Sequence, residues 1–124
     1  MHPAWCDAGG ACVPKMQRMA FIHLRTHTEF SVVDGSLRID ELTDAAVADG
    51  QGALAITDLS NLFGAVKFYS ALRRKGVKPL IGADLWLEPS GGEKQPSRLV
   101  VLAQNNQGYL NICQLREISS LMLR

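Results

Sequence analysis

Short apolar runs alternating with stretches of helical periodicity constrain this chain more than any other feature. Phe21 to Leu24, Ala53 to Ile56, Leu80 to Leu87 and Leu99 to Ala103 are four such runs, each of strand length and mostly apolar on consecutive positions. Between the first and second, a helix is predicted from about Ile39 to Asp49. Its apolar residues Ile39, Leu42, Ala45 and Ala46 recur three to four apart, and Gly50 is a natural stop. Between the second and third, a helix is predicted from about Leu62 to Lys75, with Leu62, Val66, Tyr69 and Leu72 on its buried face and Arg73, Arg74 and Lys75 in the last turn, where the helix dipole favours cations. Gly76 ends it. A polar loop from Ser90 to Ser97 precedes the fourth run, and a last helix is predicted to begin near Gln107. Strands this uniformly apolar are covered on both faces. Their alternation with helices implies parallel neighbours joined by right-handed crossovers. The predicted fold is an α/β sheet, or the first part of a β/α barrel.

Composition narrows the function classes. At 124 residues and 47% hydrophobic, the chain makes one domain at most, burying roughly two-thirds of its unfolded surface if the fold is complete. Thirteen basic against twelve acidic residues leave a net charge of +1, so no global field draws it to nucleic acid or to an anionic membrane. The longest apolar runs, about five residues, fall far short of the ~20 that span a bilayer. With no basic-then-apolar leader pattern, a cytoplasmic location is expected. The three cysteines, Cys6, Cys12 and Cys113, form no C-x-x-C pair and are expected to be reduced thiols. Cys6 and Cys12 with His2 match no common zinc spacing. The first twenty residues, rich in Gly, Ala and Pro without periodicity, read instead as a disordered extension, and Met16 or Met19 as a more natural start.

In α/β barrels the working residues sit at the C-terminal ends of strands and in the loops that follow. His27 follows the first apolar run, Asp58 the second, and Asp84 lies in the third. These are three metal-competent side chains converging by position. Each has a purely structural alternative: a satisfied loop histidine, a helix cap, a half-exposed carboxylate on an edge. His23 and His27 form an H-x-x-x-H pair, but in a strand context and without the Glu of a zinc protease. Gly91-Gly92 lacks the Lys-Ser/Thr of a phosphate cradle, and neither a Ser-His-Asp nor a Cys-His arrangement can be read.

The segments Phe21-Ile22-His23-Leu24-x-x-His27-Thr28-Glu29-Phe30-Ser31, Asp34-Gly35, Ala53-Leu54-Ala55-Ile56-Thr57-Asp58, Asn61 to Tyr69, Lys78 to Ala83, and Leu99 to Asn106 with Gly108, Tyr109 and Asn111 stand in a fixed order and spacing. Together they resemble the PHP (polymerase and histidinol phosphatase) domain at the N-terminus of the alpha subunit of bacterial DNA polymerase III. The resemblance covers residues 21–115, read as a partial PHP domain, an incomplete β/α barrel; residues 116–124 read as a divergent tail.

The resemblance implies a metal site with several ligands lost. Active members carry a His-x-His pair after the first strand; here the first position is Arg25 and the second His27. Asp34 is retained, the His after Thr-Asp is Leu59, the acidic residue after Ile-Gly-x is the shorter Asp84, and the His before the Leu-Val strand is Arg98. A PHP centre holds several metals so that a bound hydroxide attacks a phosphate. Arg25 and Arg98 put fixed positive charge there instead, and arginine does not deprotonate to make room. Pairing of these arginines with Asp34, Asp58 or Asp84 is expected, and a catalytically silent site with it. No cofactor is expected. Residual Zn, Mn or Mg binding by His27, Asp34, Asp58 and Asp84 stays open.

The resemblance further implies a part of a DNA-directed DNA polymerase (a nucleotidyltransferase) in DNA replication, whose polymerase carboxylates and DNA contacts lie in downstream domains. Its implied partners are the proofreading exonuclease subunit and the rest of the polymerase III core, with no membrane. The alternative is a metal-dependent PHP phosphoesterase, a nuclease or pyrophosphatase with a weakened site. A truncated or frameshifted product with open strand edges is the third possibility.

Overall fold

The structure is a computed structural model that describes residues 21–89 and 95–122, with side chains through residue 117. The N-terminal extension, the Cys6, Cys12 and His2 grouping, and Gly91-Gly92 lie outside the described residues. The element order is α1 (Ile39–Ala48), β1 (Ala53–Ile56), α2 (Ala65–Arg74), β2 (Lys78–Leu87), β3 (Ser97–Leu102) and α3 (Asn106–Met122). The strands form one sheet in the order β1-β2-β3.

Helix α1 starts without a side-chain cap at Arg38, but Asp40 and Glu41 in its first turn complement the dipole. Asp49 closes it, and Gly50 takes the left-handed φ of 71° that turns the chain toward β1. All four residues of β1 are buried, as a strand covered on both faces requires. Helix α2 carries Arg73 and Arg74 in its last turn, and Gly76 at φ 74° redirects the chain into β2.

Strands β1 and β2 pair in parallel, Ala53 opposite Lys78 to Ile56 opposite Ile81, as the alternation of elements predicted. Strand β3 departs from that expectation. It runs antiparallel to β2, from Gly82 opposite Leu102 to Leu87 opposite Ser97. No helix separates these two strands in the sequence, so their connection folds back as a hairpin instead of crossing over. The sheet is therefore mixed. Gly82 permits the close pairing, because a Cβ there would collide with the Val101 carbonyl oxygen.

The predicted opening strand at Phe21 to Leu24 is absent as an element. Its backbone does run beside β1, where Ala55 N–H donates to the His23 carbonyl at 2.9 Å and Thr57 N–H to the Thr26 carbonyl at 2.9 Å. The Thr57 hydroxyl takes the Thr26 N–H at 2.9 Å and displaces a backbone acceptor. Phe21 and Leu24 stay 64% and 51% exposed, so no apolar face fixes the segment as a strand.

The core is one cluster of Ile39, Ala46, Leu54, Ile56, Phe68, Leu72 and Val77, with Phe30, Leu42, Ala71 and Ile81 packed against it. A smaller cluster of Ala83, Leu85 and Ile112 seats α3 on the sheet. The buried face of α2 differs in part from the predicted one: Leu72 is buried as expected, but Ala65 and Phe68 join it at the core, while Val66 is 75% and Tyr69 49% exposed. Two apolar stripes about 100° apart compete on this helix. Fully burying Phe68 with Leu72 gains about 1.5–3 kcal/mol per side chain, and the tight contact at Gly64 sets the orientation. A Cβ at Gly64 would lie 2.9 Å from the Phe30 ring and 3.1 Å from Ile39 Cδ1. Helix α3 runs on through the segment 116–124 that the sequence set apart, as far as Met122.

Candidate functional site

The loop between residues 26 and 38 folds onto itself before α1 begins. Ser31 N–H and the Thr28 carbonyl close a turn at 2.9 Å, Gly35 N–H reaches the Ser31 carbonyl at 2.8 Å, and Glu29 N–H reaches the Leu37 carbonyl at 2.8 Å. Gly35 is obligatory, since a Cβ would collide with the Thr28 carbonyl oxygen and lie 2.9 Å from Ser31 Cβ. This turn sets His27 beside Asp34.

Asp58 and Asp84 occupy neighbouring registers. Asp84 N–H donates to the Asp58 carbonyl at 3.1 Å and Ser60 N–H to the Asp84 carbonyl at 2.9 Å, with Ser60 at a positive φ of 53°. Their carboxylates nevertheless serve different ends. Asp58, 1% exposed, accepts from Thr28 N–H at 2.6 Å, from the Thr28 hydroxyl at 2.7 Å and from the Ser31 hydroxyl at 3.0 Å. It clasps the loop to the end of β1. It caps no helix and does not join the other candidate ligands.

Asp84 is fully buried on β2, the opposite of a half-exposed edge carboxylate. Its Oδ2 receives Arg25 Nη2 at 2.7 Å and lies 3.1 Å from His27 Nε2 and 3.9 Å from Arg98 Nη1. Asp34 lies 2.9 Å from His27 Nδ1 through Oδ1 and 3.0 Å from Arg98 Nη1 through Oδ2. The structure thus brings together His27, Asp34, Asp84, Arg25 and Arg98. The two guanidinium groups balance the two carboxylates in charge. A neutral imidazole donates from one nitrogen only, so His27 bonds both carboxylates at once when it is doubly protonated. Partial desolvation raises the Asp34 pKa, but the hydrogen bond from Arg98 and the charge and hydrogen bond of His27 outweigh it and hold the carboxyl below its ordinary value.

Leu59, expected from the resemblance to mark a lost ligand position, is half-buried and donates its N–H to the Ser31 hydroxyl at 2.9 Å. Trp86, not singled out in the sequence, lies under Arg98, whose guanidinium carbon is 4.6 Å from the ring centroid. Its signal was its position two residues after Asp84, on the same face of β2. Thr28 and Ser31 were equally unmarked, although both stand in the first motif.

A pocket of about 280 Å³ opens between Arg25, His27, Asp34 and Arg98. A cluster of several metal ions does not fit these residues. One oxygen of each carboxylate already holds a guanidinium, and an arginine cannot yield its proton to a competing cation. Asp84 Oδ1 is buried without a hydrogen-bond partner among the described residues, so one carboxylate oxygen keeps unused acceptor capacity. Among the described residues no group of three or more His, Cys, Asp or Glu has the arrangement of a metal site.

The fold, with its mixed three-stranded sheet, is that of a partial PHP domain, and the comparisons agree. The PHP domain family model matches residues 23–121, and the chain belongs to that family. It is 45% identical over 97 residues to the DNA polymerase III subunit alpha of Pseudomonas aeruginosa, covering 78% of this chain and 8% of that protein. It is 46% identical over 104 residues to the Vibrio cholerae subunit and 43% over 100 residues to that of Escherichia coli K12, covering 84% and 81% of this chain and 9% of each relative. The match is to the N-terminal region of those subunits, and the chain spans less than a tenth of their length. Among solved structures, it resembles an amidohydrolase from Chromobacterium violaceum with bound sulfate and no metal, at a TM-score of 0.58 and 24% identity over 77% of this chain and 33% of that one. A protein from Bifidobacterium adolescentis, assigned as a metal-dependent phosphoesterase, matches with the same coverage and TM-score at 20% identity. These two likenesses show the partial PHP-type fold. Among the described residues no helix is long and apolar enough to cross a membrane.

Proposed function

We propose that this chain serves as a structural and docking domain within a DNA polymerase III alpha subunit, holding the proofreading exonuclease subunit in the polymerase core and performing no hydrolysis itself. The observation that carries this reading is the seating of Arg25 on Asp84 at 2.7 Å and of Arg98 on Asp34 at 3.0 Å. Salt bridges there replace the cation-carboxylate bonds of an active PHP centre. They keep loop and strand ends in place, yet provide no Lewis acid and no bound hydroxide. No cofactor is needed for that role, and a cytoplasmic setting with DNA bound through other domains follows from it. The similarity to alpha subunits over about four-fifths of the chain supports the polymerase context.

The test is a pull-down and titration of the exonuclease subunit against an alpha subunit carrying this domain, with and without Arg25→His and Leu59→His. Binding unchanged by those ligand-restoring substitutions supports the proposal. Absence of binding to an intact alpha subunit refutes it. One observation favours a second reading, a weakened metal-dependent phosphoesterase: the unpartnered Asp84 Oδ1, which could hold a single cation. That reading requires metal-dependent turnover that disappears in Asp84→Asn.

A further inference from the structure

Strand β2 outruns its neighbour. It begins at Lys78, whereas β3 pairs with it only from Gly82 onward, and the last bond across is Ala103 N–H to the Ile81 carbonyl at 2.8 Å. Beyond Leu102 the chain leaves the sheet and turns through Asn105 into α3. Lys78 to Leu80 are therefore left with an uncovered edge, framed by α2 on one side and the start of α3 on the other. Pro79 has no N–H to offer there, which makes this edge a poor seat for another strand.

The result is a groove of about 500 Å³. Its apolar lining comes from Val66 and Tyr69 on α2, Ile81 on β2, and Ala103 and Tyr109 at α3, with the amides of Gln104, Asn105 and Asn106 along one wall. Val66 and Tyr69 are α2 side chains that the core does not take up. The groove's two charged lining residues, Arg73 and Lys78, are both cationic, and no carboxylate lines it. Among the described residues neither forms an ion pair. Lys67 and Lys75, on the same helix and at its end, do pair, with Glu29, Asp40 and Asp44. The groove's two cations are thus left without a carboxylate partner among the described residues.

We propose that this groove docks an acidic peptide segment anchored by apolar side chains. Apolar anchors enter between Val66, Tyr69 and Tyr109, and carboxylates at the flanks meet Arg73 and Lys78. This follows from charge complementarity with an unneutralised rim and from the helix-in-groove mode, in which anchors at i, i+3 or i+4 and i+7 fill such a cleft. The groove shares no residue with the pocket of Arg25, His27, Asp34 and Arg98, so the inference does not depend on whether that pocket holds a metal.

The test uses the full 124-residue chain and a fluorescein-labelled amphipathic helical peptide of about twelve residues, with Leu at the anchor spacing and Glu elsewhere. Its control has Lys in place of each Glu. Fluorescence anisotropy is expected to show saturable binding of the Glu peptide and at least tenfold weaker binding of the Lys peptide. Arg73→Gln with Lys78→Gln should weaken the Glu peptide by about three- to tenfold. Val66→Asp, at an exposed position that folding tolerates, should abolish binding, with urea transitions of all variants matching the wild type. Equal affinity for both peptides, indifference to the charge substitutions, or no binding of either peptide overturns the proposal. So does a peptide-independent dimer in light scattering that Val66→Asp dissolves, since it assigns the groove to a second copy.

Discussion

Asp58→Ala removes the acceptor that takes the most hydrogen bonds from the 26–38 loop. Three donors converge on that carboxylate: Thr28 N–H at 2.6 Å, the Thr28 hydroxyl at 2.7 Å and the Ser31 hydroxyl at 3.0 Å. Hydrogen bonds to a charged group contribute about 1.5–3 kcal/mol each, so the simple sum lies near 4.5–9 kcal/mol. The hydroxyls can rotate toward other acceptors, whereas the Thr28 N–H is fixed and fully buried. Allowing for that relaxation, the cost is about 3–5 kcal/mol, a large share of the roughly 5–15 kcal/mol available to a domain of this size. Asp58→Asn keeps the shape and one acceptor oxygen, and should cost about 1–2 kcal/mol. The assay is urea unfolding followed by far-ultraviolet circular dichroism, repeated with EDTA and with Mn²⁺. The losses are expected to be the same in both, because the clasp needs no metal. An Asp58→Ala loss below about 1 kcal/mol, or a wild-type stabilisation by Mn²⁺ that vanishes in the variant, would refute the clasp.

Phe68→Ala should destabilise by about 3–5 kcal/mol, and Val66→Ala by less than about 0.5 kcal/mol, because the first faces the core and the second is 75% exposed; equal losses in urea unfolding would restore the predicted face of α2. The Asp34 pKa is lowered in the folded state, so its pairing with Arg98 and His27 contributes stability above the ordinary value of 3.8 and loses it as pH falls through the lower folded value. Arg98→Gln should therefore be less stable than wild type near neutrality and approach it below about pH 3.8; a difference that persists unchanged in acid, measured by thermal unfolding across pH, rules out the ion pair as its source.

Much of this molecule was legible because its elements are punctuated chemically. Gly50 and Gly76 mark the ends of two helices by needing a positive φ, and the buried Ala53–Ile56 run reads as a strand from its composition alone. The hairpin of β2 and β3 was harder to foresee. An apolar run has no direction, and only the absence of a helix between the two strands betrays their antiparallel pairing. On α2, Val66 and Tyr69 are as apolar as Ala65 and Phe68, so periodicity could not choose between two stripes that packing at Gly64 separates. At the site, the expectation that Arg25 and Arg98 would meet carboxylates followed from charge, and the structure pairs them with Asp84 and Asp34. The role of Asp58 was hidden, because its partners Thr28 and Ser31 lie about thirty residues away and neither hydroxyl carries a pattern of its own.

Isothermal titration of Mn²⁺ and Zn²⁺ into the folded chain, with hydrolysis of bis-p-nitrophenyl phosphate followed in the same samples, tests most directly whether arginines have taken the place of the metals. The account predicts no specific metal binding and no metal-dependent turnover in the wild type. Stoichiometric binding with turnover that Asp84→Asn abolishes would contradict it.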